Sequence, residues 1–289
     1  MRRVLLPAVV TCLLAGCGAK DSPKPDAANA VAAATPAALP KEVTITAKDF
    51  SFDAPDTISA GLVSLKLVNQ GQQLHHVQLA RLSDGKTYTD LMDGLKNMKP
   101  GAPPPPWMHD VAGPNSPVPG GGESPLILPL EAGNYAILCF IPGPDGVPHV
   151  MKGMSRALTI IPATTAAAPA PTADITATMT DYAWEVTPAI SAGKHIIKIT
   201  NNGTQSHEMF VGQLAPGKTA QDVVAWVLKM DGPPPVKPLG GISGMANGGV
   251  AYLPVNLDKG EYALFCFLPD AKDGKTHAEH GMVKPFTVN

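Results

Sequence analysis

Two loops in this chain are bracketed by the same three side chains. "CFIPGPDGVPHVMKGM" runs from Cys139 through His149 to Met154, and "CFLPDAKDGKTHAEHGM" runs from Cys266 through His277 to Met282. Nine residues separate Cys from His in the first and ten in the second, and four separate His from Met in both. Upstream, Gly71-x-x-x-His75 has its counterpart in Gly203-x-x-x-His207. Each set therefore offers a thiol, two imidazoles and a thioether. A thiolate and two imidazoles in a plane, with a thioether held weakly on the axis, form the ligand field of a type 1 copper site. Such a field accepts Cu(I) and Cu(II) with little rearrangement, which suits electron transfer. Plainer readings stand beside this one. A Cys inside the apolar run Ala136 to Ile141 packs as a small hydrophobe by default, and another metal is also compatible with the donors. A Cys139–Cys266 disulfide is the less favoured alternative, because equivalent interior positions of two domains would have to bring their Cα atoms within about 7 Å.

The elements that must position these residues come in duplicate. "KDFSFD" at 48–53 parallels "TDYAWE" at 180–185, and "SAGLVSLKLVNQG" at 59–71 parallels "SAGKHIIKITNNG" at 191–203, at a constant offset of 132. A period of that size indicates a duplicated domain rather than a solenoid. Apolar residues alternate with a period of two at Val43, Ile45; Val63, Leu65, Leu67; Tyr135, Ile137; Ile197, Ile199; and Tyr262, Leu264, the pattern of half-buried strands. Thr87-x-x-Asp90 and Thr219-x-x-Asp222 predict one helix per copy, each opened by a hydroxyl cap and an acidic third residue. Leu91, Leu95, Met98 and Val223, Val227, Met230 supply the expected inward faces. Met92, Trp184 and Trp226 are likewise read as core. The expectation is all-β: two tandem Greek-key β-sandwiches, each with one short helical excursion.

The ends and joints are compositional. Arg2 and Arg3 precede an apolar run, Val4 to Leu14, that is too short to span a bilayer, so the segment predicts export. Residues 18–40, rich in Ala and Pro, suit an extended tether, and "PATTAAAPAPT" at 162–172 suits a linker between domains at 41–161 and 173–289. Only 16% of residues are charged and the net charge is -2, which leaves no basic surface for nucleic acid.

With these motifs in place, the chain resembles the cupredoxin family over 41–161 and 173–289. The Cys139 loop looks like the type 1 loop of copper nitrite reductases. The resemblance implies one copper per domain, held by His75, Cys139, His149 and Met154 and by His207, Cys266, His277 and Met282. Leu14-Ala15-Gly16-Cys17 is similar to the lipobox of bacterial lipoproteins, which implies a 1–17 signal peptide, lipidation of Cys17 and an extracytoplasmic protein anchored to a bacterial membrane on its periplasmic side. Partners would be redox proteins at that membrane surface. Reductase or oxidase chemistry is disfavoured, since Phe140 and Phe267 follow the cysteines where those enzymes carry His, and no His-x-His pair occurs. The alternatives are copper storage or delivery and a metal-free interaction module. His76 and Glu208, in the place where many cupredoxins have Asn, are read as either supporting hydrogen bonds or exposed groups. Met151 and His280 are read as surface, and His109 and His195 are given no role.

Overall fold

The protein is described by a computed structural model covering residues 40–98, 104–166, 168–230 and 232–289. The expected signal segment with Cys17, and the 18–40 tether up to its last residue, lie outside the described residues.

The first half folds as β1 (Glu42–Lys48), β2 (Ser51–Asp53), β3 (Thr57–Ser59), β4 (Gly61–Asn69), β5 (Gln78–Leu82), α1 (Tyr88–Asn97), β6 (Met108–Ala112), β7 (Gly122–Leu130), β8 (Gly133–Leu138) and β9 (Ser155–Ile161). The second half repeats the plan without a partner for β3. It comprises β10 (Ile175–Thr180), β11 (Ala183–Thr187), β12 (Gly193–Asn201), β13 (His207–Leu214), α2 (Ala220–Val227), β14 (Val236–Met245), β15 (Val250–Leu257), β16 (Gly260–Phe265) and β17 (Val283–Val288). The architecture is an all-β sandwich.

One sheet runs β11-β10-β12-β15-β7-β4-β1-β2 and the other β17-β16-β13-β14-β6-β5-β8-β9-β3. Both sheets therefore cross the boundary between halves. The seam is thin: Tyr252 opposite Ile127 joins β15 to β7, and Met245 opposite Val111 joins β14 to β6. Isolated bridges from Pro114 to Ile242 and Pro117 to Leu239 extend it. Buried hydrogen bonds close it, from Ser243 Oγ to Val77 O (2.8 Å) and from Gln78 Nε2 to Gly244 O (2.9 Å).

Period-two alternation explains the burial. On β8, Tyr135, Ile137 and the following Cys139 face the central core with Leu65, Leu67 and Leu128, while Ala136 and Leu138 lie under α1 with Leu91 and Leu95. Tyr262, Leu264 and Cys266 repeat this around β16, with Ala263 and Phe265 packed against Val223 of α2. A helix thus covers the outer face of the strand that leads to each cysteine, which is why those strands are apolar on both faces.

Both helices start where the hydroxyls predict. Thr87 and Thr219 are the caps, each accepting from the third residue's N–H while Asp90 or Asp222 accepts from the cap's own N–H. The far ends differ from expectation. Met98 caps α1 in extended geometry (φ -73°, ψ 131°) and is exposed, because the helical period stops at Asn97. Met230, three residues beyond α2, sits at φ 48° and is also exposed. Trp226 is only half-buried, its indole N–H donating to Gly232 O at 3.1 Å. Trp184 is buried as expected.

Close backbone approach at the seam demands glycine. At Gly241 (φ +121°) a Cβ would stand 1.9 Å from Met209 O, and its carbonyl accepts from Asn115 N at 3.0 Å. At Gly248 (φ +77°) a Cβ would meet nothing within 4 Å. Gly241→Ala should lose at least about 2 kcal/mol of stability and Gly248→Ala about 1 kcal/mol; equal urea midpoints for the two variants would contradict this account.

Candidate metal centres

Each histidine-bearing turn is built from an Asn, a Gly and an Asp. At the end of β4, Asn69 Oδ1 accepts from Gly71 N (3.0 Å) and its Nδ2 donates to Gln73 O (2.9 Å). Asp49, in the turn after β1, accepts from Gln72 N at 3.0 Å. Asn201, Gly203, Gln205 and Asp181 make the same bonds after β12. There is no room for a larger residue at the glycine, since a Cβ on Gly71 would lie 2.6 Å from His75 Nε2, and on Gly203 2.5 Å from His207 Nε2.

The turn aims a buried imidazole, and the same Asp orients it. His75 Nε2 lies 2.8 Å from Asp49 Oδ1, and His207 Nε2 2.9 Å from Asp181 Oδ1. Against the upward push of burial, hydrogen bonds from His75 and the turn amides hold the Asp49 carboxyl below its usual range; Asp181 is held at about 2 by Thr204 and His207. An ionised carboxylate only accepts, so the proton of each of these imidazoles sits on Nε2 and the Nδ1 lone pair points inward.

The other two donors arrive with the long loops. In the first, Val150 N donates to Cys139 O (2.8 Å), Met154 N to His149 O (2.9 Å) and Cys139 N to Met154 O (3.3 Å). A 3-10 turn, His149–Lys152, ends at Gly153 (φ 98°). In the second, Ala278 N donates to Cys266 O (2.7 Å), Met282 N to His277 O (2.8 Å) and Cys266 N to Met282 O (3.3 Å). Cys, His and Met are therefore tied to one another by their backbones, and all eight expected residues are at most 1% exposed.

Their side chains converge. His75 Nδ1 and His149 Nδ1 stand 3.1 Å apart, and Cys139 Sγ lies 3.5 Å from His149 Nδ1. In the second half His207 Nδ1 and His277 Nδ1 are also 3.1 Å apart, with Cys266 Sγ 3.9 Å and 3.3 Å from them. Within each cluster one donor atom per residue lies within 4.8 Å of the others. Met154 and Met282 are buried in the central core at the foot of these loops. Cys139 and Cys266 are free thiols in separate clusters, which removes the disulfide alternative.

In the first cluster two facing Nδ1 lone pairs 3.1 Å apart suit a cation between them. Burial pushes His149 and His277 down to about 4, so neither ring carries an extra proton near neutrality. His149 Nε2 faces Gln73 Oε1 at 3.1 Å, which places its single proton there and leaves its Nδ1 unprotonated. Burial also pushes the Cys139 thiol up to about 12, and Cys266 is raised as well; a bound ion reverses this by displacing the proton. Donors about 2.0–2.3 Å from one ion stand roughly 3–4 Å from each other, which is the spacing found. The donor set therefore fits a borderline or soft metal ion.

The two clusters differ in their surroundings. His76 and Glu208, beside the upstream histidines, are buried rather than exposed, and each accepts the N–H that follows the cysteine: Phe140 N to His76 Nε2 at 3.0 Å, Phe267 N to Glu208 Oε1 at 2.7 Å. Burial holds His76 neutral, down at about 3, and pushes Glu208 up to about 7 against its two hydrogen bonds. Gln205, the counterpart of Gln73, turns to Asp270 (2.9 Å), so His277 Nε2 has no hydrogen bond and faces Asp270 Oδ2 at 3.9 Å. Gln205 and Tyr182 hold that carboxyl below its usual range. Phe50 and Tyr182 pack edge-on against His149 and His277. Met151 and His280 are exposed, and His109 and His195 lie outside both clusters. Asp49, Asp181, Gln73 and the turn asparagines were not singled out from the sequence, although their recurrence at the 132-residue offset was the available signal.

No protein-family model and no curated protein matches the chain. Among solved structures it is similar to auracyanin of the photosynthetic bacterium Roseiflexus castenholzii, at 16% identity over 43% of this chain and 100% of that one, with a TM-score of 0.30. It is also similar to auracyanin A, a "blue" copper protein of Chloroflexus aurantiacus (20% identity, 42% and 99% covered, TM-score 0.29). A copper nitrite reductase of Nitrosomonas europaea is similar over 86% of this chain and 94% of its own (13% identity, TM-score 0.24). At such values the reading of the centres rests on their own geometry.

Because Asp49 fixes the tautomer and direction of His75, Asp49→Ala should weaken Cu(II) binding at the first cluster 10–100-fold and leave the second unchanged. Competition titration against a chelator reads both; equal losses at the two clusters would contradict the local role of Asp49.

Proposed function

We propose that the protein is a copper-binding electron carrier with two mononuclear type 1 centres, working outside the cytoplasm. The observation that carries this reading is the pair of imidazole Nδ1 atoms 3.1 Å apart beside a buried cysteine sulfur, present twice. His75, Cys139 and His149 would hold one ion, and His207, Cys266 and His277 the other, with Met154 and Met282 as the axial thioethers. When bound, copper supplies a one-electron couple that needs little change of geometry.

The chain's own residues do the rest. Asp49 and Asp181 orient the upstream imidazoles, and the backbone ties from Cys to His to Met hold the loops to their strands. Burial at or below 1% exposure excludes water from the donors, which favours holding the ion through turnover over releasing it to a recipient. That observation sets electron transfer above storage or delivery.

Export and anchoring belong to the proposal. They rest on Arg2, Arg3, the apolar run to Leu14 and the Leu14-Ala15-Gly16-Cys17 pattern, which together imply a lipid on Cys17. An anchor would confine both centres to a membrane surface where redox proteins meet them.

Titration of the protein with Cu(II) should develop an intense thiolate-to-copper absorption band and a type 1 EPR signal up to two equivalents. Cys139→Ser and Cys266→Ser should each remove one equivalent and the double variant both. A colourless protein, or one that takes up only zinc, would sink the reading. Cys17→Ala should move the protein from the membrane fraction to the soluble one; unchanged fractionation would contradict the lipid anchor.

A further inference from the structure

At the position following the upstream histidine the two halves do the same mechanical job with different chemistry. His76 accepts the Phe140 N–H through a neutral ring, whereas Glu208 accepts the Phe267 N–H through a carboxyl oxygen. Glu208 is 5% exposed, and its own N–H points at Cys266 Sγ at 3.4 Å.

The charge of Glu208 follows from its partners. Its Oε1 faces the backbone N–H of Phe267 and its Oε2 faces Asn115 Nδ2 at 3.1 Å. Asn115 cannot be turned around: its Nδ2 also donates to Ile242 O (3.0 Å), and its Oδ1 accepts from Ser116 N (2.7 Å). Both carboxyl oxygens therefore accept from a donor, which favours the ionised form. Among the described residues Glu208 has no ion-pair partner. A buried anion without a counter-charge is costly, and the cluster one residue away is built to hold a cation.

Resting on the copper reading above, we infer that the two centres are unequal: Glu208, positioned by Asn115 from the first half, makes the second centre favour the more positive Cu(II) state and so gives it the lower reduction potential. The shared features cancel, since Asp49 and Asp181 do the same for each upstream histidine. The unshared ones agree in sign. Asp270 stands 3.9 Å from His277 Nε2, where the first centre has the neutral Gln73 on His149. Asp145 in the first loop is paired with Lys152 at 2.7 Å, and His280 with Asp273 at 3.1 Å in the second. Asn115 donates across the seam, so the second centre is completed by the first half of the chain. The couple is one electron exchanged with an external mediator, and no bond is made or broken.

Spectroelectrochemical titration of the copper-loaded full chain at pH 8 tests this. The wild type should titrate in two steps. Full-chain Cys266→Ser should retain the upper step and Cys139→Ser the lower. Glu208→Gln, which keeps the shape and an oxygen acceptor, should reduce the second centre's preference for Cu(II) over Cu(I) at least tenfold, a rise of about 59 mV for a one-electron couple. The first step should stay where it is. Asn115→Ala should shift the second centre's potential and EPR parameters without moving the first. A residue with a merely structural role would lower stability and leave both potentials in place. Two copper bands with one common potential, or a second step unmoved by Glu208→Gln, would overturn the inference alone. A chain that forms no copper band would overturn the copper reading with it.

Discussion

The structure depends on one electrostatic constraint: in each half two imidazoles are held with their Nδ1 atoms 3.1 Å apart beside a buried sulfur. The upstream ring is oriented by a carboxylate outside the pocket that accepts its Nε2–H, and the second ring is tied by its backbone to the cysteine. A polar arrangement of this kind is costly in an apolar interior unless a hydrogen bond or a bound cation completes it.

That constraint explains features that otherwise look like separate details of the sandwich. The glycine at the head of each histidine turn leaves space for the His–Asp pair. The turn asparagine closes the loop so that the histidine enters at the rim. The helix over β8 or β16 buries the outer face of the strand that leads to the cysteine, while the cysteine itself faces the central core. Removing water lowers the local dielectric and strengthens every charge interaction near the donors. A single neighbouring carboxylate can then distinguish one centre from its copy.

The repetition of one plan in both halves also has a consequence at the seam. Both sheets run across it, and the strands beside the upstream histidines meet Ser243, Gly244 and Asn115 there. The halves share hydrogen bonds at the level of the metal clusters, so each influences the other's surroundings. The halves differ beside these clusters: His76 stands against Glu208, and Gln73 on His149 against Gln205 on Asp270.

Much of this was legible in the residues. Period-two alternation located the strands, the Thr-x-x-Asp pairs located both helix starts, and the repeated Cys and His spacing picked out donors that lie within 4.8 Å of one another. These are local signals, carried by neighbours a few positions apart. The helix ends were less legible, since Met98 and Met230 continue the apolar period while the backbone has already left the helix. What only the tertiary structure decided is which polar groups lose water together. Asp49 and His75, or Asn115 and Glu208, are distant in the chain, and their meeting depends on sheet register and on a seam between copies. Residue types therefore determined the kind of donor available to a metal, whereas folding decided each donor's tautomer, charge and neighbours, because those depend on burial and on contacts that sequence spacing does not encode.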